Sequence, residues 1–268
     1  MTGPAPDPTL TAPPPDLALA LELADLSDAV TRSRFRARDL RVDRKPDRTP
    51  VTDADLAVEQ AVRTAWRARP RDRIAGEEGG GAITDRRTWV VDPIDGTKNF
   101  LRGVPVWATS LALVEDGRPT VGVVSAPALR RRWWAAAGHG AWAREDRGTA
   151  RLHVSGVDRL EAAYLSTTSL STWDLFHSRA AYLRLADACW EDRGFGDFLQ
   201  HCLVAEGLID IAAEPVVSPW DVAAVQVIVE EAGGRCTGLR GENVLGAGGG
   251  ALSANPHLHG QAVALLNP

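Results

Sequence analysis

Apolar residues recur at helical spacing over residues 16–36, with Leu17, Ala20, Leu21, Ala24 and Leu26 on one face, and predict a first helix capped by Asp16. A charged, Pro-containing stretch at 38–50 reads as a loop or hairpin. Thr52-Asp53-Ala54-Asp55 is a capping sequence and opens a second helix that runs over 52–69 and stops before Pro70. Ile74-Ala75 is a short strand running into Gly76-Glu77-Glu78-Gly79-Gly80-Gly81. Apolar runs at 106–114, 119–126 and 132–136 predict an antiparallel meander whose first turn is Glu115-Asp116-Gly117. Beyond about residue 150 the pattern changes to strands at 163–166 and 209–213 alternating with helices at 178–188 and 198–206. Trp220-Asp221 then opens a strongly apolar helix stopped by Gly233-Gly234, and residues 263–266 end a last helix. A helix pair, an antiparallel sheet and then alternating elements imply sheets sandwiched between helices. The expected division is a disordered Pro-rich tail at 1–15, an α+β half at 16–150 and a mixed α/β half at 151–268.

Composition narrows the partners. With 268 residues, 44% hydrophobic and 24% charged, the chain has the make-up of a globular protein with a sizeable core. A net charge of −5 argues against nucleic acid as the main partner. No apolar run reaches the ~20 residues that span a bilayer, and the Pro-rich start has no signal-peptide character. Cys189, Cys202 and Cys236 are odd in number and widely spaced, as expected of reduced, mostly buried thiols in a cytoplasmic protein.

The chemistry concentrates in Trp89-Val90-Val91-Asp92-Pro93-Ile94-Asp95-Gly96-Thr97-Lys98-Asn99-Phe100. A β-rich run ends in carboxylates spaced i, i+3, Pro93 biases Asp92 toward extended backbone, and Gly96 frees a sharp turn. Thr97 opens a short helix stopping near Gly103. Carboxylates bind Mg²⁺ through oxygen and helix N-termini bind phosphate, so the arrangement suggests a metal-dependent phosphoryl site. Taken singly, Asp92 and Asp95 equally suit a turn, Glu77 a polar loop and Asp221 a helix cap. Together the four supply what a two-metal site requires, a bridging carboxylate with anionic ligands on either side.

The full string resembles the signature of the inositol monophosphatase superfamily of Mg²⁺-dependent phosphomonoesterases, and the likeness runs from about Leu17 to Leu266. It implies a layered α-β-α-β-α sandwich and two or three Mg²⁺ per subunit. By that resemblance Glu77 of Gly76-Glu77-Glu78 is a metal ligand and Asp92 bridges two ions. The Ile94 carbonyl joins the first ion and Asp95 the second. Asp221 of Trp220-Asp221-Val222-Ala223-Ala224 also joins the second. Asp55 orients Thr97, and a water acidified by Mg²⁺ and held by Glu77 and Thr97 attacks phosphorus in line. Lys45 lies near the site, the phosphate rests on the Gly96-Thr97 N–H groups, and Glu214 contacts substrate. The resemblance also implies a cytoplasmic homodimer. The glycines at 79–81 depart from the usual pattern and leave the mobility of that loop open.

Within the superfamily the chain is most similar to actinobacterial histidinol-phosphate phosphatases. The similarity rests on residues 41–47, 98–108, 125–134 and 196–207. That substrate carries an ammonium beside its phosphate, and Asp197 and Glu214 are the candidates to face it, with a plain helix cap as the other reading of Asp197. A broad inositol or sugar phosphatase, a 3′-phosphoadenosine phosphatase and a binding protein on the same fold are the alternatives.

Other features read as bystanders. The six histidines show no metal-ligand spacing and are expected on the surface or in loops, and Gly246–Gly250 reads as a flexible connection. Arg130-Arg131-Arg132-Trp133-Trp134 reads as a strand edge or subunit interface.

Overall fold

A computed structural model describes residues 13–46, 49–66, 72–84, 86–246 and 249–268, and begins with helix α1 (Pro15–Arg34). Its N-cap is Pro14, so the expected cap Asp16 lies inside the first turn, where the helix dipole favours it and where it accepts from Arg87. The loop or hairpin expected at 38–50 contains β1 (Val42–Arg44), paired antiparallel with β2 (Pro50–Thr52), and residues 47–48 lie outside the described residues. In α2 (Asp53–Trp66) the Thr52 hydroxyl accepts from the Ala54 N–H while Asp55 reaches back to the Thr52 N–H at 2.8 Å, which is a capping box. The expected end of this helix at 67–69 lies outside the described residues.

Strands β3 (Arg73–Gly76), β4 (Thr88–Asp95), β5 (Ala108–Glu115), β6 (Arg118–Ala126), β7 (Arg131–Ala136), β8 (Ala141–Glu145) and β9 (Gly148–Arg151) form one sheet in sequence order, with α3 (Thr97–Arg102) between β4 and β5. The expected turn at Asp116-Gly117 has both residues at positive φ, as a tight hairpin requires. Two expectations change here. β4 does not end at Val91 but carries on through Pro93 to Asp95, with a register shift against β5 between Asp92 and Asp95. Proline has no N–H to donate, so it belongs at such an irregularity. β7 has neighbours on both sides and is no edge; Trp133 is fully buried, and Arg132 is buried against Asp28 and Ser125.

The second sheet is mixed and contains β10 (Tyr164–Ser166), then, after α4 (Trp173–Phe176) and α5 (Arg179–Ala188), β11 (Glu191–Arg193). Helix α6 (Asp197–Ala205) leads to β12 (Ile211–Val217), and α7 (Pro219–Glu231) to β13 (Arg235–Thr237), β14 (Gly249–Ala254) and α8 (Pro256–Leu266). The order across the sheet is β11-β10-β12-β14-β13. Gly249 and Gly250 therefore begin a strand, where a flexible connection was expected.

Helices α1 and α2 cover one face of the first sheet, with Leu23, Val58 and Trp66 packed on Trp89, Val91, Leu111 and Val123. Helices α6 and α7 fill the space between the sheets, where Phe198, Val204, Ala224 and Ile228 meet Val90, Ala112, Val124 and Ala212. Helices α5 and α8 close the far side through Tyr182, Leu185, Leu258 and Ala262 against Leu165, Ile211 and Leu252. The result is the α-β-α-β-α sandwich. Because α7 is covered from both sides, its residues 222–229 are all buried, which is why its sequence shows no polar face. Among the described residues no helix is long and apolar enough to cross a membrane.

Candidate active site

A cleft of about 840 Å³ opens where β3 and β4 end and α3, α6 and α7 begin. Its walls include Lys45, Glu77, Asp92, Ile94, Asp95, Gly96, Thr97, Asp197 and Asp221, residues spread over 177 positions of the chain (45 to 221). The irregularity in β4 presents Asp92 and Asp95 to this one space. Gly96 follows at φ 84°, a left-handed conformation that favours glycine, and caps α3. The first N–H groups of a helix have no intrahelical acceptor, and the first residues of α3, Thr97 to Asn99, line the cleft.

The carboxylates of β4 and α7 are deeply placed, and one of their oxygens has no partner. Asp92 is 2% exposed and its Oδ1 has no hydrogen-bond partner. Burial pushes its carboxyl well above the usual range, and the charges of Glu77, Asp95 and Asp221 push it further. Burial does the same to Asp95, helped by Asp197, Asp221, Glu214 and Glu77, although its Oδ2 accepts from the Phe198 N–H at 3.0 Å. Asp221 rises to about 7, chiefly through burial, against the stabilising Ser218 N–H at 2.7 Å. That bond makes Asp221 a helix-capping group as well as a cleft residue. The helix-capping reading of its sequence position holds, with Asp221 at N3 of α7 and Ser218 as the N-cap.

Asp55 is fully buried; its Oδ2 accepts from Thr52, and its Oδ1 lies 3.5 Å from the Thr97 hydroxyl. Burial raises its carboxyl to about 6 despite the Thr52 hydrogen bonds. The Thr97 hydroxyl also donates to the Ile94 carbonyl at 2.9 Å. Lys45 reaches into the mouth of the cleft and pairs with both Glu77 (2.6 Å) and Glu78 (2.7 Å).

A second acidic patch adjoins the first. Asp197 begins α6 at φ 46°, yet its side chain does not cap that helix and instead accepts from Asn99 Nδ2 at 3.1 Å. The plain-cap reading therefore fails. Burial and Glu214 raise its carboxyl to about 6, with Lys98 and His201 pulling the other way. Glu214 does not end its strand; β12 runs on to Val217 after a register shift at Glu214. It accepts from Gln200 Nε2 at 2.5 Å and lies 3.4 Å from His201 Nε2. A narrow recess of about 100 Å³ between the two patches is lined by Asp95, Asp197, His201, Glu214, Val217, Asp221 and Val222.

His201 and His259 are buried, contrary to the surface placement expected of the histidines, because each ring has a hydroxyl partner, Ser253 and Thr237 respectively. Lys98, Gln200 and His201 are site residues the sequence reading passed over. Lys98 stands inside the signature, and His201 follows Asp197 by one helical turn, so both left a signal.

Among the described residues no three Asp, Glu, His or Cys side chains meet at a ready-made metal cage. The donor set nevertheless suits a hard cation. Asp92 Oδ1 is buried without a partner, and the surrounding carboxylates raise one another's proton affinity, so positive charge between them is favourable. Mg²⁺ retains waters and phosphate oxygens in its shell and asks for few protein ligands.

Residues 15–268 match the inositol monophosphatase family. A histidinol-phosphatase of Mycobacterium tuberculosis is 58% identical over 94% of this chain and 98% of its own length. One from Streptomyces coelicolor is 50% identical over 94% and 97% respectively. The solved structure of the Thermotoga maritima IMPase superposes with a TM-score of 0.83 at 30% identity, covering 94% of this chain and 96% of that one. Motif, layered fold and carboxylate-lined cleft agree with these matches: the chain belongs to the inositol monophosphatase family.

Proposed function

We propose that this protein is a Mg²⁺-dependent phosphomonoesterase that hydrolyses L-histidinol phosphate to L-histidinol and phosphate. The observation that carries the reading is the pairing of an acidic patch in the cleft with a second one along the adjoining recess. Asp92, Asp95, Glu77 and Asp221 suit cations, and Asp197 with Glu214 suits an ammonium next to the phosphate. The 58% and 50% identical histidinol-phosphatases support the same substrate.

Glu77, Asp92, the Ile94 carbonyl, Asp95 and Asp221 would hold two or three Mg²⁺. Bound there, the ions would neutralise charge on the phosphoryl and leaving oxygens and acidify the attacking water. The Gly96 and Thr97 N–H groups receive a phosphate oxygen. The Thr97 hydroxyl, held by the Ile94 carbonyl and Asp55, and the Glu77 carboxylate orient the water in line with the leaving oxygen. No side chain forms a phosphoenzyme. The ammonium is received by Asp197 and Glu214 through charge-assisted contacts. Lys45 sets the position of Glu77 and Glu78 at the cleft mouth.

The same reading makes the enzyme a cytoplasmic homodimer. Three unpaired cysteines fit a reducing compartment, and Leu175, Phe176 and Trp190 leave large apolar side chains exposed for a second copy to cover. Phosphate release from histidinol phosphate, inositol 1-phosphate, a sugar phosphate and 3′-phosphoadenosine 5′-phosphate, each with and without Mg²⁺, tests the function. The expected result is Mg²⁺-dependent release with histidinol phosphate preferred. Preference for inositol 1-phosphate would overturn the substrate, and release without Mg²⁺ would overturn the metal.

A further inference from the structure

The segment that carries Glu77 is chemically awkward. Two adjacent glutamates share the Lys45 cation at the cleft edge, and Gly79, Gly80 and Gly81 directly behind them have the largest backbone entropy to lose on ordering. Left alone, such a turn would present Glu77 in many positions. The structure instead holds it from behind.

Glu59, on α2, is 2% exposed and reaches under the turn. Its Oε2 accepts from the Glu78 N–H and its Oε1 from the Gly79 N–H, each at 2.8 Å. Arg63, one helical turn further along, donates from Nε to Glu59 Oε1 at 2.7 Å and from Nη2 to the Gly80 carbonyl at 2.7 Å. The turn closes on itself through the Gly76 N–H and Gly80 carbonyl at 3.1 Å, while the Glu77 N–H reaches across to the Val91 carbonyl of β4. A Cβ added at Gly76 or Gly79 would collide with the Glu59 carboxylate, so the glycines and the buried acid are fitted to each other. Asp55 and Glu59 are spaced i, i+4 on α2 and share a face. One helix thus reaches the Thr97 hydroxyl through Asp55 and the backbone just after Glu77 through Glu59.

We propose that Glu59 is a positioning residue for the Glu77 carboxylate. It restrains the Glu77–Gly80 turn so that Glu77 stands ready for a divalent cation, with Arg63 locking Glu59 in place. Charge-assisted bonds to two consecutive backbone N–H groups are strong enough to order a short glycine turn. The inference rests on the reading of Glu77 as a Mg²⁺ ligand.

Glu59→Gln is the first test, because the amide keeps the shape but sets a donor against the N–H groups and Arg63. Hydrogen exchange at the Glu78 and Gly79 amides should quicken about tenfold in the metal-free protein, which reads the restraint without turnover. The Mg²⁺ concentration for half-maximal histidinol phosphate hydrolysis should rise about 10- to 100-fold, while kcat at saturating Mg²⁺ stays within about threefold. Gly79→Ala, which pushes the turn off Glu59 by its Cβ, should give the same split and serves if Glu59→Gln does not fold. An unmoved Mg²⁺ requirement in a folded variant, or a kcat loss that saturating Mg²⁺ does not restore, overturns the proposal. Glu77→Gln separates the two levels. If it keeps the wild-type Mg²⁺ dependence, the metal reading falls and this inference with it. If it loses that dependence while Glu59→Gln does not, only this inference falls.

Discussion

The two acidic patches of the cleft contain similar groups under different regimes. Around Asp92 the carboxylates face one another, and a buried oxygen of Asp92 goes unpaired. Around Glu214 the protein supplies its own partners: Gln200 for Glu214, Asn99 for Asp197, and His201 close by. The first patch leaves a buried carboxylate oxygen unpaired, whereas both carboxylates of the second are met by side-chain donors, with Gln200 Oε1 and His201 Nε2 beside them left unpaired. On the proposed function, that difference would separate the groups that hold the cations from the groups that face the substrate ammonium.

The comparison breaks most sharply by substitution in the first patch. Asp92→Asn or Asp95→Asn should lower kcat at saturating Mg²⁺ by more than about a hundredfold, a barrier rise above ~2.7 kcal/mol. Metal-free Asp92→Asn should melt no lower than wild type, because it removes a buried, repelled charge. Activity within about tenfold of wild type would end the distinction between the patches.

Metal binding gives the next effect. At a Mg²⁺ concentration about 100 times its dissociation constant the folded protein should gain ~2.7 kcal/mol, seen as a higher melting temperature than in chelator and reversed by chelator. Identical melting in both conditions would mean the carboxylates do not act as one site.

The second patch should respond to substrate charge. Asp197→Asn should lower kcat/KM for histidinol phosphate about tenfold more than for an uncharged phosphomonoester, a difference of ~1.4 kcal/mol. Equal losses on both substrates would leave Asp197 with a structural role only.

A separate effect is in pH. Asp55 and Asp197 near 6 and Asp221 near 7 hold protons in the metal-free fold that the unfolded chain, with ordinary carboxyls near 4, gives up earlier. The folded state therefore binds more protons between about pH 4 and 7, so stability falls as pH rises through that window. Melting curves of the metal-free protein at pH 5 to 8 should show this decline, and saturating Mg²⁺ should flatten it. A melting temperature that rises across the same range would contradict the arrangement of the first patch.

The elements most legible in sequence were those with a local cause. Helix α2 announces itself through Thr52 and Asp55, and the β5–β6 hairpin through Asp116-Gly117. Strands β8, β9, β11, β13 and β14 were missed, being short or glycine-containing with little periodicity to count. Asp16 misled because an acidic residue suits both the cap and the first turn, and a proline took the cap. The histidines misled because burial of an imidazole depends on a distant hydroxyl: Ser253 lies 52 residues from His201.

By itself the sequence determined the family signature, the order of most elements and the identity of the acidic groups at Glu77, Asp92, Asp95 and Asp221. Those properties reside in short strings whose turns and caps are local. Only the tertiary structure decided that β4 continues through Pro93, that Asp197 turns from its own helix toward Asn99, and that Glu59 clamps the glycine turn from behind. Each of these depends on which backbone groups and charges come together across the fold, and no local pattern encodes a partner 98 residues away such as Asn99 is to Asp197.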